Sequence, residues 1–504
     1  MEENEYPVFK EERDTGTCSE FWLKVSFEKF FTMNKLLQIL FLAVMICGNA
    51  DAARTKVKAP APFGATPSPR QMAWHDMKFY AFVHFTTTTF RDVEWGYGDA
   101  VPDEFQPTKY NPRQWAEVFK AAGMKGVILT AKHHDGFCLW PTKETDYCVA
   151  NSSWRNGTGD VVGDLSREAR RAGLRFGVYL SPWDRHDLRY ATPAYIDYYR
   201  AQLRELLTNY GPIFEVWEDG ANGGDGYYGG LREKRTIGPG YYDWPNTSFL
   251  IHSLQPDVII WGAGGDARWC GNESGYMPEP NWAVMDVNGT EHWNPAEVDV
   301  SIRPGWFYHA SEDDRVRSVD NLMQIYYESV GRGANLILNV PPTKEGLIHP
   351  TDSATLVAFG KALKREFSHP LKRSAIKNLT ASNVRGGDKT YDATRLTDGK
   401  RATYWATDDE VREASVTMML KSPQPLYALQ LSEPIQLGQR IAKFSVEVQT
   451  PEGQWQQVAT GTTIGPQHIM RLPDMKAQAL RVNIESSRAC PLMNELILYL
   501  PPKP

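Results

Sequence analysis

The sequence predicts a (β/α)8-like TIM barrel followed by a C-terminal β-sandwich domain. Two observations carry that expectation. From about residue 70 to 370, short apolar runs alternate with amphipathic stretches, the rhythm of βαβ units around a parallel sheet. From about residue 371 the helical stretches stop, and short alternating segments separated by turn residues replace them. A chain of 504 residues has room for both domains.

The elements follow in order. Phe79–Phe85 reads as the first strand, and Pro112–Ala122 as a helix with proline in its first turn and Gly123 beyond its end. Gly126–Ala131 is a strand, Gly163–Ala172 a helix closed by Gly173, and Arg175–Leu180 a strand. The helix Pro193–Tyr210 ends at Gly211; Ile213–Trp217 and Val258–Gly262 are strands with a helix between them. The sixth unit is placed around Trp282–Val287, where the pattern is faintest, and Trp306–His309 is read as the seventh strand. Ser318–Val330 is a helix, Leu336–Val340 the last barrel strand and Ser353–Arg365 the last helix. The strands are too apolar to have a wet face, as in sheets covered on both sides. A doubly wound open sheet would share the rhythm, but no G-x-G-x-x-G stands at a first strand–helix turn. Leu426–Leu431, Lys443–Thr450, Trp455–Thr460 and Ala479–Ile484 read as sandwich strands, serving either as a buttress or as a carbohydrate-binding module.

The first 69 residues stand apart. Met33-Asn34-Lys35, the apolar run Leu36–Ile46 broken only by Gln38, and Ala50-Asp51-Ala52 read as a secretory signal peptide, too short to span a bilayer. Residues 1–52 are therefore read as an upstream extension plus signal peptide, with Met33 as the true start, and 53–69 as a Pro-rich leader. Export to the periplasm is expected, with an extracellular or, through Cys47, a lipid-anchored location as alternatives. The mature chain is expected to carry no transmembrane segment. Of the six cysteines, 18, 47, 138, 148, 270 and 490, four follow the cleavage site, and their spacing matches neither a disulfide framework nor a zinc site. A net charge of -6 argues against non-specific nucleic-acid binding.

Barrels do their chemistry at the C-terminal ends of the strands. Those ends here deliver His84, Lys132-His133-His134-Asp135, Ser181-Pro182-Trp183-Asp184, Glu218-Asp219, Asp266–Glu273 and Arg303–His309. Each is weak alone: a histidine ending a strand is usually a structural hydrogen-bonder, and Asp-Gly is usually a turn. Together they are what a sugar site needs, with polar groups to read hydroxyls, tryptophans to pack on C–H faces and two carboxylates to cut. A metal at His133-His134-Asp135 is disfavoured, because neighbours in an extended chain point to opposite sides. H-E-x-x-H, C-x-x-C, G-x-S-x-G and the phosphate-loop pattern do not occur.

Phe79–Thr86, Glu94-Trp95-Gly96, Leu129–Gly136, Tyr179–Asp184 and Trp217-Glu218-Asp219-Gly220, in this order, resemble glycoside hydrolase family 29, the α-L-fucosidases. Gly386–Gly465, with Thr403-Tyr404-Trp405 and Gly438-Gln439-Arg440, resembles the sandwich that follows in that family. Arg268–Gly275 is similar to the branch acting on α-1,3 and α-1,4 fucosyl linkages of branched glycans. The resemblance implies a retaining mechanism with Asp219 as nucleophile and Glu273 as acid/base, Glu291 being held in reserve. Such a mechanism asks for carboxyl groups about 5–5.5 Å apart. Glu218 departs from the aromatic that usually precedes the nucleophile, and strand alternation lets only one of Glu218 and Asp219 face the barrel mouth.

The same resemblance assigns His84, Glu94, Trp95, His133, His134, Tyr179 and Arg268 to fucose hydroxyls or nucleophile support, Trp306 to the C6 methyl face and Arg303 to the same rim. It implies a fucosylated oligosaccharide as partner and no cofactor for catalysis; the acidic sandwich loops leave room for a structural calcium. Another exo-glycosidase on this scaffold, for example an α-L-galactosidase, and a non-catalytic fucose-binding protein remain as alternatives. Side-by-side fucosyl and galactosyl substrates separate the first.

Overall fold

The computed structural model describes residues 57–263, 265–287 and 289–503. The predicted signal peptide, with Cys18 and Cys47, lies outside the described residues.

Eight parallel strands make the barrel sheet: β1 (Phe79–Val83), β2 (Gly126–Lys132), β3 (Arg175–Leu180), β4 (Glu215–Glu218), β5 (Ile259–Gly262), β6 (Arg268–Trp269), β7 (Ala296–Ser301) and β8 (Asn335–Asn339). They pair in the order β5-β4-β3-β2-β1-β8-β7-β6. A parallel bridge between Trp261 and Ala267 brings β5 against β6, so the sheet is a nearly closed TIM-like barrel. Strand alternation sorts the side chains. Tyr80, Phe82, Ile128, Tyr179, Trp217, Ile259, Trp261 and Ile337 fill the inside of the barrel. Ala81, Val83, Val127, Leu129, Val178, Val216 and Ile260 pack outward with the helical layer. Helix α1 (Pro69–His75) closes the N-terminal end, where Trp74 joins the inner cluster and its carbonyl accepts from Asn335.

The helices outside are α2 (Pro112–Ala121), α3 (Val161–Ala172), α4 (Pro193–Asn209), α5 (Trp244–Leu254), α6 (Val319–Glu328) and α7 (Pro350–Glu366). Their limits follow local chemistry. Helix α3 starts two residues before its expected start because the Asp160 side chain caps Gly163 N–H, and it ends where Gly173 turns to φ +77°.

Two expected strands are corrected. The sixth is not Trp282–Val287: Val284–Val287 pairs antiparallel with Thr290–Trp293 in a hairpin outside the barrel. The real β6 is two residues long, bears a charge and a half-exposed indole, and follows β5 with no helix between them. No apolar run marks it. The seventh is not Trp306–His309, which is irregular chain beyond the end of β7. In β7 the inward positions include Glu297 and Asp299, so the polarity expected of a strand facing an apolar core is inverted and the pattern misses it.

After α7 a five-stranded antiparallel sheet (β9, Ile376–Ala381; β10, Ala414–Pro425; β12, Ile441–Gln449; β13, Trp455–Gly461; β15, Lys476–Ser487) faces a three-stranded one (β11, Ala428–Ser432; β14, His468–Arg471; β16, Glu495–Tyr499). Val416, Leu429, Leu431, Phe444, Val446, Leu480, Val482 and Leu496 form the core between them. The sandwich is tied to the barrel by the buried side chain of Gln439, which accepts Ala283 N–H at 2.8 Å and donates to the Asn281 carbonyl at 2.8 Å.

Candidate active site

At the C-terminal end of the barrel lies a cavity of about 160 Å³, lined by Phe82, His84, Glu94, Trp95, His133, His134, Tyr179, Trp217, Asp219, Ala221, Glu273, Asp299 and Trp306. Drug-sized ligands take several hundred Å³, so this volume suits one monosaccharide ring. A larger depression of about 540 Å³ lies where α6 and α7 meet the sandwich. It is away from the strand ends and gathers none of the histidines, so the chemistry is assigned to the smaller cavity.

Asp219 follows the last residue of β4 and faces the cavity. Its Oδ2 accepts from the Tyr179 hydroxyl at 3.1 Å and lies 3.8 Å from His134 Nε2, while Oδ1 accepts Ala221 N–H at 2.7 Å. Glu218 points the other way. It is fully buried, neither carboxyl oxygen has a hydrogen-bond partner, and burial alone pushes its pKa up to about 8. Alternation along β4 thus decides between the two carboxyls as expected.

His133 and His134 lie past the end of β2, where alternation no longer holds. Both rings enter the cavity, 4.2 Å apart at their centroids, which corrects the expectation that they diverge. Among the described residues no group of three or more His, Cys, Asp or Glu is placed to hold a metal ion. The loop is pinned by Asp135, whose Oδ2 accepts the hydroxyls of Thr86, Thr87 and Thr88 at 2.6–3.0 Å. His134 Nδ1 meets Ser181 Oγ at 2.7 Å, and His84 Nδ1 meets Asn339 Oδ1 at 2.8 Å. Burial pushes His84 down to about 4, His133 well below the usual range and His134 below it despite the Asp219 charge. Three neutral imidazoles therefore face the cavity, and in His84 and His134 the bond at Nδ1 leaves Nε2 to meet a sugar hydroxyl.

Glu94 holds the chain after β7: its carboxylate accepts Trp306 N–H at 2.8 Å, Phe307 N–H at 3.2 Å and His309 Nε2 at 2.6 Å. Burial opposes the charge on His309, but the bonds to Glu94 and Asp92 outweigh it and raise the imidazole's pKa. Trp306 is thereby set over the cavity, and its indole N–H donates to Glu273 Oε2 at 3.1 Å. Trp95 stands at the mouth, 56% exposed, edge-on to His134.

The structure therefore brings together Asp219, Glu273, His84, Glu94, Trp95, His133, His134, Tyr179 and Trp306. It does not bring Arg268, Arg303 or Glu291 into the cavity. Arg268 alternates away from it and donates to Asn281 Oδ1 and the Trp282 carbonyl at 3.3 and 3.2 Å. Arg303 is buried in a two-pronged pair with Asp352 at 2.8 and 3.0 Å and a further pair with Asp313 at 2.9 Å. Glu291 sits on the outer hairpin, paired with Arg488 of the sandwich at 3.1 Å.

Sequence reading missed Asp299 and Asn339, and gave no role to Trp269, whose indole donates to Asp299 Oδ1 at 2.7 Å. The alternation of Glu297-Val298-Asp299-Val300 was the available signal, read inside out.

Comparison with known proteins bears on the family and the fold. Residues 63–366 match the α-L-fucosidase family, and residues 378–496 match the F5/8 type C domain. The chain is 40% identical over 487 residues to α-L-fucosidase 1 of Arabidopsis thaliana, covering 92% of this chain and 93% of that protein. A glycoside hydrolase 29 family member from a rumen bacterium superposes with a TM-score of 0.78 at 41% identity, covering 88% of this chain and 78% of that one. A Ruminococcus gnavus GH29 fucosidase solved with fucose superposes with a TM-score of 0.79 at 28% identity, over 88% and 97% of the two chains. With a family match across the whole barrel and a relative this similar over nearly its full length, the chain belongs to the α-L-fucosidases of glycoside hydrolase family 29.

Proposed function

We propose that this protein is a retaining α-L-fucosidase that releases terminal fucose from α-1,3/1,4-fucosylated glycans outside the cytoplasm. One observation carries the reading: Asp219, held by Tyr179 and Ala221 N–H, and Glu273, held by Trp306, line the same monosaccharide-sized cavity. Asp219 attacks the anomeric carbon while Glu273 protonates the leaving oxygen, giving a fucosyl-enzyme ester; Glu273 then takes a proton from water as the ester opens. The neutral histidines read the hydroxyls. The Trp306 ring supplies an apolar face for the C6 methyl, which separates fucose from a sugar with CH₂OH there. The fucose-bound fucosidase of similar fold supports a fucosylated substrate. The linkage rests on the Arg268–Gly275 segment and the location on the signal-like Met33–Ala52 segment.

The test is free-fucose release from a Lewis-type trisaccharide and from 2-linked fucosyl-lactose. Release from the trisaccharide alone is expected; equal release from both removes the linkage assignment. The Asp219→Ala variant should lose about 10³-fold or more in kcat yet still bind fucose. Wild-type turnover by that variant would refute the nucleophile.

A further inference from the structure

A buried amide behind the cavity settles where one proton sits inside it. Asn339 is the last residue of β8 and has no exposed surface. Its Nδ2 donates to the Trp306 carbonyl at 2.8 Å and to Ser301 Oγ at 2.9 Å, and its Oδ1 lies 2.8 Å from His84 Nδ1. A backbone carbonyl only accepts, so the amide nitrogen must face Trp306 and the amide oxygen must face His84. Ser301 agrees with this orientation: its hydroxyl donates to the Gly305 carbonyl at 2.7 Å, which leaves its oxygen to accept from Asn339. An amide oxygen has no proton to give. The proton in the bond between His84 and Asn339 therefore belongs to Nδ1.

A neutral imidazole has one such proton. His84 is buried among the rings of Phe82, His133, Tyr179, Trp306 and Phe307, and burial outweighs the Asp219 charge and the Asn339 bond to keep it neutral. With Nδ1 protonated, its Nε2 is a bare lone pair. The same wiring recurs at His134. Ser181 Oγ donates to the Trp183 carbonyl at 2.6 Å, so the proton in its 2.7 Å contact with His134 comes from Nδ1. His133 differs: its Nδ1 is buried without a hydrogen-bond partner, and no neighbour fixes its tautomer.

We propose that Asn339 is the positioning residue that fixes His84 as its Nδ1–H tautomer, so that Nε2 meets the sugar as a bare acceptor and reads a hydroxyl only as a donor. The inference rests on the reading of the cavity as the fucose site. Selectivity follows from it. A hydroxyl gives its proton to Nε2 while its oxygen accepts from another group. A fluorine in the same place is close in size but has no proton to give, and an ether oxygen has none either. Facing either one, the buried Nε2 is left without a partner, at a cost of about tenfold or more in affinity.

The test has two arms. NMR of the full chain with nitrogen-15-labelled histidine shows which ring nitrogen carries the proton, the His84 signals being identified by their loss in His84→Gln. A protonated Nδ1 and a bare Nε2 are expected at neutral pH; a proton on Nε2 would overturn the proposal. L-fucose is then compared, as an inhibitor, with analogues fluorinated at each non-anomeric hydroxyl in turn. At least one analogue should bind the wild type about tenfold or more weakly than fucose, and equal affinity for all of them is fatal. Asn339→Leu removes the acceptor that holds the Nδ1 proton, so the ratio of fucose to that analogue should shrink several-fold toward parity. The same variant strands the Trp306 carbonyl. A merely structural loss, however, weakens fucose and analogue alike, so an unmoved ratio would make Asn339 structural and sink its assigned role. If Asn339→Leu does not fold, the NMR arm and the wild-type ratios decide. Fucose that fails to inhibit at all would refute the fucose reading, while the labelled histidines would still decide the tautomer.

Discussion

Glu218 and Asp219 are chain neighbours with opposite fates. The carboxyl of Asp219 meets three polar partners at the barrel mouth, while that of Glu218 meets none in the layer between strand and helix. An unpaired carboxyl there is tolerated only as the neutral acid. Its raised pKa of about 8 makes it a liability with a definite sign. Between its unfolded pKa of about 4.3 and its folded pKa, the native chain holds a proton that the unfolded chain has released. Its contribution to stability therefore falls as pH rises through that window, by about 1.4 kcal/mol per pH unit, and levels off above it. In Glu218→Gln this slope should vanish. Urea midpoints of wild type and variant, followed from pH 5 to 8, should diverge in favour of the variant as pH rises; parallel curves would show that Glu218 ionises freely. Neither Glu218's isolation nor the pairing of Arg303 with Asp352 was legible along the chain, because both depend on which element packs outside the strand.

At the scale of elements, the barrel geometry is what aims β4. Gly262 closes β5 at φ +97°, and a Cβ there would stand 2.2 Å from the Glu218 carbonyl oxygen. Gly262→Ala thus combines left-handed strain, about 1–3 kcal/mol, with a backbone clash at the residue before Asp219. The expected outcome is a lower melting temperature together with reduced kcat, measured on the purified variant; wild-type kcat would mean that β4 does not transmit the shift to Asp219. The βαβ rhythm made β1 to β5 and β8 readable to within a few residues, because buried parallel strands are apolar throughout. Strands β6 and β7 escaped. One is too short to carry a pattern, and the other turns Glu297 and Asp299 inward among Tyr80, Trp217 and Trp269, which donate to them. Acidic residues inside a barrel look like surface until their donors, distant in sequence, are in place.

Across the whole molecule the sandwich packs against the barrel and stays out of the cavity. The described lining of the cavity ends at Trp306, so no residue of the sandwich reaches it. Gln439 instead satisfies two buried backbone groups of the loop between β6 and β7. Gln439→Ala would strand both, at about 1–3 kcal/mol each. Its melting temperature should drop while KM for a fucosyl substrate stays unchanged; a raised KM would give the sandwich a part in binding.

The sequence alone determined the two-domain order, most of the strands and the motif residues that meet in the cavity, because burial periodicity and motif order are local properties of the chain. Tertiary structure decided the rest. Which carboxyl of a neighbouring pair faces the mouth, which arginine is spent on a buried pair, and that Asp299 lines the cavity all depend on contacts between residues far apart in sequence. The electrostatics of a site are set by what desolvates and pairs each group, and that is known only once the barrel has closed around it.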